Sequence, residues 1–600
     1  MVMGRRNWIV SALLLLCLSA AAQQPADSPA PKTASTGQSA PAAVPVVVQQ
    51  NPAAQTAVPS QPAPASEAPA VQAPPSTMDQ VVDRMVEREH DLVRMLQART
   101  PVVETYLQNL RLDPQLGPVP KDDRYFLGRM DLAESIDRRD FLKEASMEKH
   151  LLGGFTKLFK LEYQPLGFSW MIFADRTDFD RQHYDFRYVH REFLGEVRCL
   201  VFDVTPKKEA GKGRFLGRVW VEDQDFNIVR LNGTYAPRPR NSYFFHMDSW
   251  RLNLVPGYWV PAYIYSEEGD FSAKAHNDIA FKAQTRIWGY DLKKAGKDDE
   301  LTQIRVDSVK DESPTAQDPS PLQAAREWQQ QAEDNVVERL ERAGLLAPQG
   351  ELDKVLETVV TNIEITNNIE TMRPIRCRVL LTAPLETFSL GNTIVISRGL
   401  IDVLPDEPSL AMALAHELAH IVLGHNIGGK YAFNDRMLFS DESTYSNLGF
   451  RHISEEEAAA DQKAIEMLKK SPYNQKLENA GLFLKALQTR AGALQALLTA
   501  HLGNNMAEKG TVTRMAQLMS SAPAFDLNKL DQIAALPLGG RVKVNPWDNR
   551  VELTKSQPVA ITSARDKMPF EVTPFFPHLV RIGGSGAGAT TAAANSAASN

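Results

Sequence analysis

The sequence predicts an α+β chain: a mainly helical domain with a small sheet, preceded by a curved antiparallel β-sheet domain of half-barrel type. Three observations carry this. Short, aromatic-rich segments separated by turn residues fill residues 125–292, helical spacing dominates after residue 327, and two short apolar runs around residues 375–400 read as strands between helices. Six hundred residues with 43% hydrophobic content are enough chain for more than one core.

The first 22 residues read as an export signal, with Arg5 and Arg6 before the apolar stretch from Trp8 to Leu18 and small residues Ala20, Ala21 and Ala22 after it. The bulky Leu16 before Cys17 favours cleavage near Ala22 over lipidation, and the stretch is too short to span a bilayer. The chain is therefore expected outside the cytoplasmic membrane, periplasmic or peripheral to the outer membrane, and not integral to one. Residues 23–78, mostly Ala, Pro, Gln and Ser, cannot offset their ordering entropy and form a linker. Residues 79–118 continue as a helical segment, with Val81, Val82, Met85, Leu92, Met95 and Leu96 at helical spacing.

Residues 119–300 form the antiparallel β domain. "GFSWMIFA", "EVRCLVFDVTP", "GRFLGRVWVEDQDFNIVRLNG" and "SWRLNLVPGYWVPAYIYSEEG" read as strands, the third with a polar turn at Glu222 to Asp225. "VFDVTPKK" followed by that third segment resembles the LolA-like lipoprotein-sorting half-barrel family. The resemblance implies a concave face able to hold acyl chains, and hence a lipid or lipoprotein partner; the plainer reading is that the aromatics fill a core. Residues 301–345 are a linker and a helix, 346–520 the second folded domain, 521–582 a strand-rich C-terminal extension, and 583–600 an unstructured tail. A net charge of −7 gives no reason to expect nucleic acid. Beyond the leader only Cys199 and Cys377 remain, which is no disulfide framework.

The chemistry lies in "LAMALAHELAHIVLGH" (410–425). Asp406, Glu407, Pro408 and Ser409 make a helix start. At about 100° per residue, His416 and His420 fall about 40° apart and one turn up, with Glu417 at the edge of the same patch. The surrounding surface is apolar nearly all round, as on a buried helix, where unpartnered imidazoles and carboxylates are costly. A zinc ion would satisfy both rings and give Glu417 a water to act on; the bland alternative is a pair of histidines bonded to backbone carbonyls. "SEEEAAADQKAIEMLKK" (454–470) places Glu457 and Asp461 on an otherwise apolar stripe with Ala460, Ala464, Ile465 and Leu468. Ser454 and Glu457 also fit a capping box, which would explain Glu457 but not Asp461.

Together these residues resemble the HtpX/CAAX-prenyl-protease (Ste24-like) family of zinc metallopeptidases, whose pattern is H-E-x-x-H followed by E-x-x-x-D. The resemblance covers about Gly350 to Ser520. It implies a zincin of gluzincin type, with one zinc per chain held by His416, His420 and Glu457. Glu417 would be the general base, Asp461 the partner orienting a ligand imidazole, and Arg514 of "EKGTVTR" the oxyanion stabiliser. His425, placed about 140° from His420 on a continued helix, is not expected as a ligand. "TFSLGNTIVISRGLI" resembles the strand that receives substrate backbone, and the loop 426–451 is a candidate cover for the cleft. The implied activity is endopeptidase cleavage of envelope proteins in quality control; the rival is a lipid or lipoprotein carrier with a structural metal domain.

Overall fold

The computed structural model describes residues 74–132, 137–140, 168, 171–211, 213–236, 246–268, 280–290, 292, 321–425, 449–532, 538, 542–544, 551–553 and 570–582. The chain divides into two units, Met1–Ala73 and Pro74–Asn600, and every described residue lies in the second. The expected export signal, most of the linker, the tail and residues 426–448 of the expected cover lie outside the described residues.

Helix α1 (Met78–Gln97) starts at a capping box in which Thr77 and Gln80 satisfy each other's backbone groups. It stops before Pro101, and the expectation of helix through residue 118 is corrected here. Strand β1 (Val102–Asp113) follows, because the β-branched and aromatic run "VVETYLQNL" suits a pleated surface, and β2 (Gly117–Asp131) returns beside it. The other strands are β3 (Asp137–Asp140), β4 (Tyr184–Leu194), β5 (Val197–Pro206), β6 (Arg214–Glu222), β7 (Ile228–Ala236), β8 (His246–Val255), β9 (Tyr258–Glu268) and β10 (Ala280–Trp288). They make one antiparallel sheet in the order β3-β2-β1-β10-β9-β8-β7-β6-β5-β4. Of the four segments read as strands, three are; the described part of "GFSWMIFA" holds no strand residue, its apolar side chains packing against the sheet instead.

Alternate residues of the strands enter two different cores. Val103 and Leu107 of β1 and Phe202 and Val204 of β5 pack with α1 on one face. Val102, Tyr106, Cys199 and Val201 face the other way and join the core of the helical half. A sheet buried on both faces reads as continuous apolar runs, which is why its strands alternate so weakly in sequence. Cys199 and Cys377 are both buried and free.

The helical half comprises α2 (Pro321–Arg342), α3 (Glu351–Asn367), the short α4 (Arg398–Val403), α5 (Glu407–Leu423), α6 (Ser454–Lys470), α7 (Leu477–Arg490), the single turn α8 (Gln495–Leu498) and α9 (Gln517–Ser521). Its small sheet has β11 (Arg376–Leu380) parallel to β13 (Thr393–Ser397), with β12 (Thr387–Leu390) antiparallel to β13 at the edge. Two-residue strands β14 (Ala507–Glu508) and β15 (Thr511–Val512) precede α9, and β16 (Val542–Val544) and β17 (Val551–Leu553) form a hairpin in the C-terminal extension. Residues 570–582 then lie without regular structure across the large sheet. Among the described residues no helix is long and apolar enough to cross a membrane.

Buried polar contacts join the two halves. Arg398 of α4 donates to Glu104 of β1 at 3.2 Å, Tyr125 of β2 donates to the same carboxylate at 2.9 Å, and Asp123 accepts from the backbone N–H groups of Ala496 and Leu497 at 2.8 Å each. On the opposite face, Glu89 of α1 accepts two bonds from Arg251 of β8, at 2.6 and 2.7 Å, and both side chains are fully buried. Removing one member of such a pair strands the other charge. Glu89→Ala should destabilise the protein by about 3–5 kcal/mol, read from its denaturant midpoint, while Glu89→Leu with Arg251→Met should recover most of that loss. An unchanged midpoint in Glu89→Ala would show that this pair does not hold α1 to the sheet.

Candidate metal centre

Helix α5 is positioned at both ends by local chemistry. The Asp406 side chain accepts from Ser409 N at 3.0 Å with Pro408 in the first turn, and Gly424 closes the helix with φ +71°, a left-handed conformation suited to glycine. His416, Glu417 and His420 are buried on it. Helix α6 packs alongside and presents Glu457 and Asp461 to the same point. Its N-cap is Ile453, with no side-chain cap bond, so the capping-box alternative for Glu457 is not realised.

Three ligand-type groups converge. His416 Nε2 and His420 Nε2 are 3.2 Å apart, Glu457 Oε2 is 3.4 Å from the first and Glu457 Oε1 3.2 Å from the second. Ligand atoms about 2.0–2.2 Å from a tetrahedral zinc are themselves about 3.3–3.6 Å apart, so these spacings fit such an ion. His416, His420 and Glu457 are the one metal-competent cluster of three His, Cys, Asp or Glu side chains among the described residues. His416 Nδ1 donates to Asp461 Oδ1 at 2.8 Å, which leaves Nε2 with its lone pair toward the cluster; Asp461 Oδ2 accepts from Met515 N at 2.8 Å and is held in turn. Asn504 donates to Glu457 Oε1.

The Glu417 carboxylate is divided in function. Its Oε1 accepts from the Thr387 hydroxyl at 2.6 Å and from Arg514 at 3.0 Å, whereas its Oε2 is buried with no hydrogen-bond partner among the described residues. A buried carboxylate oxygen left over in this way marks the place of a small polar group. Charge points the same way: three carboxylates, Glu417, Glu457 and Asp461, meet a single guanidinium, Arg514. Burial pushes Glu457 up, but the adjoining imidazoles of His416 and His420 and the charge of Arg514 hold it well below the usual carboxylate range. Burial likewise raises Glu417, yet Arg514, His416, His420 and Thr387 together bring it below its ordinary value. Burial and Arg514 push His416 down, and the bonds to Asp461 and Glu457 outweigh them and raise it; burial leaves His420 lowered. The residues present fit a divalent cation, whose charge offsets the excess of carboxylate.

Arg514 lies inside the centre, fully buried, donating to the Thr387 hydroxyl at 2.6 Å and reaching Glu457 at 3.4 Å. Its donors are directed at Glu417, Thr387 and Glu457, which sets its geometry apart from a free oxyanion donor. His425 differs from its expected placement because the helix ends at Leu423: beyond Gly424 the chain turns back and His425 Nδ1 comes within 3.0 Å of His420 Nδ1. Sequence reasoning missed His452, whose ring stacks on His420 with centroids 3.8 Å apart and whose Nδ1 donates to Glu456 at 2.9 Å. It also missed Thr387 and Asn504, neutral residues outside any spacing pattern. A histidine five residues before Glu457 was the available signal for the first.

A His-x-x-x-His pair on one buried helix, a carboxylate from its neighbour and an idle carboxylate oxygen beside them define a centre of the metallopeptidase class. Residues 347–440, which include His416, Glu417 and His420 and end before Glu457, match the model of Peptidase family M48. Among solved structures, the chain is similar to a DUF1329 family protein from Desulfovibrio piger, 14% identical over 37% of this chain and 98% of that one, with a TM-score of 0.18. It is also similar to an outer membrane lipoprotein-sorting protein domain, described there as putative, from Vibrio parahaemolyticus: 7% identical over 36% of this chain and 96% of that one, TM-score 0.18. No curated protein matches the chain.

Because Asp461 fixes the ring of His416, Asp461→Ala should weaken zinc binding about 10–100-fold in a chelator competition assay while the melting profile of the chelated protein stays close to the parent's. Unaltered zinc affinity in that variant would leave Asp461 no part in orienting the ring.

Proposed function

We propose that the chain is a zinc-dependent metalloendopeptidase with one ion per chain. His416, His420 and Glu457 would hold the ion, and Glu417 would be the general base. The observation that carries this reading is the buried Glu417 Oε2, unpartnered among the described residues and mounted beside a three-ligand cluster. The match of residues 347–440 to Peptidase family M48 supports it.

A zinc ion bound there supplies Lewis acidity, lowering the pKa of a water and polarising the scissile carbonyl. Glu417 Oε2 takes the proton of the attacking water and passes it to the leaving amine. Thr387 and Arg514 fix Oε1 by bonds of 2.6 and 3.0 Å, so the carboxylate cannot rotate Oε2 away. Its lowered pKa keeps the base ionised at neutral pH. Asp461 holds the His416 tautomer, and Asn504 steadies Glu457. Arg514 is assigned to positioning and charge balance rather than to the oxyanion, since its donors are engaged by Glu417, Thr387 and Glu457.

The substrate class is protein or peptide, and the setting is the cell envelope, where cleavage would serve quality control; this follows from the export-type leader and the family resemblance. The alternative of a lipid or lipoprotein carrier finds less support, because residues of β1, β5, β8, β9 and β10 on both faces of the large sheet are buried in the two cores of the chain.

Glu417→Gln should retain one zinc per chain by elemental analysis and lose about 10²–10⁴-fold in the rate of casein cleavage. A variant that digests casein as fast as the parent would remove Glu417 from the mechanism.

A further inference from the structure

Residues 570–582 cross the face of the large sheet that also meets the helical half, and how they are held differs from ordinary core packing. The segment runs transverse to the strands, so it adds no strand to the sheet. The sheet instead reads its main chain with buried side chains. Gln108 of β1, fully buried, donates from Nε2 to Phe570 O at 2.7 Å and accepts from Val572 N at 2.9 Å through Oε1. Tyr263 of β9 donates to Thr573 O at 3.3 Å, the N–H of Glu196 donates to Leu579 O at 2.9 Å, and Asn253 of β8 accepts from Ile582 N at 2.6 Å. Gly195 lies so close to the segment that a Cβ there would meet Leu579 N at 2.5 Å.

Between these clamps the floor is aromatic. Phe575 meets Tyr263 and Phe576 meets Trp250 edge-on, with centroids 5.6 and 6.0 Å apart, and Leu579 is fully buried. Trp250 and Trp259 are almost wholly buried, and their indole N–H groups have no acceptor among the described residues. The segment is anchored towards its two ends, where Phe570, Val572 and Leu579 are buried and Glu571 and Arg581 pair with Lys282 and Glu222 at 2.5 and 2.6 Å, while between these anchors Phe575 and Phe576 remain 39% and 61% exposed. Main-chain clamps with apolar contacts between them are how proteins recognise extended peptides with broad sequence tolerance. An acyl chain has no N–H to offer Gln108 Oε1 and Asn253 Oδ1, the two buried amide oxygens that accept from Val572 and Ile582 here.

We infer that this face of the sheet is a peptide-binding groove, filled in cis by residues 570–582, and that it takes an extended client peptide rich in aromatic and aliphatic side chains when that segment leaves. The groove shares no residue with the metal centre and the inference does not depend on peptidase activity. Chelation of zinc is expected to leave peptide binding intact, so the two readings fail separately.

The test uses a fluorescein-labelled peptide of residues 570–582 with the parent chain and two released forms. One ends at Pro569; the other is full-length with Val572→Asp and Leu579→Asp. Released forms are expected to keep a cooperative melt and to bind the peptide at least tenfold more tightly than the parent. N-methylation of the peptide at Val572, which removes the N–H that Gln108 reads, should weaken binding at least tenfold, and a fluorescent fatty acid should not compete. Equal binding by parent and released forms, indifference to N-methylation, or displacement by the fatty acid would overturn the inference. So would unfolding of both released forms, since the segment would then be a fixed part of the core.

Discussion

Two imidazole nitrogens and one carboxylate, all within about hydrogen-bonding distance of one another and buried between two helices, make up an arrangement that needs a positive charge at its middle. Lone pairs repel at such spacings unless a proton or a cation lies between them. His416 has already committed its other nitrogen as a donor to Asp461. With Glu417 and Asp461 also present, one guanidinium cannot balance the cluster. A divalent ion would resolve both the spacing and the charge, and the neighbouring residues would then hold His416 and Glu457 and fix the orientation of Glu417.

The large sheet contributes to that apparatus from a distance. Asp123 fastens the turn Gln495–Leu498, the ring of Tyr125 stacks on His501, and the buried Glu386 accepts from the N–H groups of His501, Leu502 and Gly503. The residue after Gly503 is Asn504, which donates to Glu457. Glu386 itself adjoins Thr387, whose hydroxyl donates to Glu417. A run of contacts therefore leads from β2 to Glu457, and the β half is part of the framework of the centre as well as a neighbour of it.

How much of this was legible in sequence varies with the physics. The two helices of the centre were, because polar residues at a helical interval in an apolar run are anomalous unless they share a partner. Glu457 and Asp461 stood out for the same reason. The hairpins from Val197 to Glu268 were readable from their turns, but β1 was not: its two buried faces removed the alternation that marks a strand, and it follows a true helix after only four residues. His425 was misplaced because its position was computed on a helix that Gly424 ends. His452, Thr387 and Asn504 reach the centre only through tertiary packing, and no local spacing announces them. The irregular segment 570–582 was read as strand-rich extension because its Phe and Val residues do face a sheet, though across its strands.

Zinc-edge X-ray absorption of the purified chain tests the central claim most directly. The account predicts one zinc per chain with two imidazole nitrogens and carboxylate oxygen at about 2.0–2.2 Å, and an exchangeable oxygen completing the shell. A folded chain that neither contains nor accepts zinc, or a zinc shell without imidazole scattering, would contradict it.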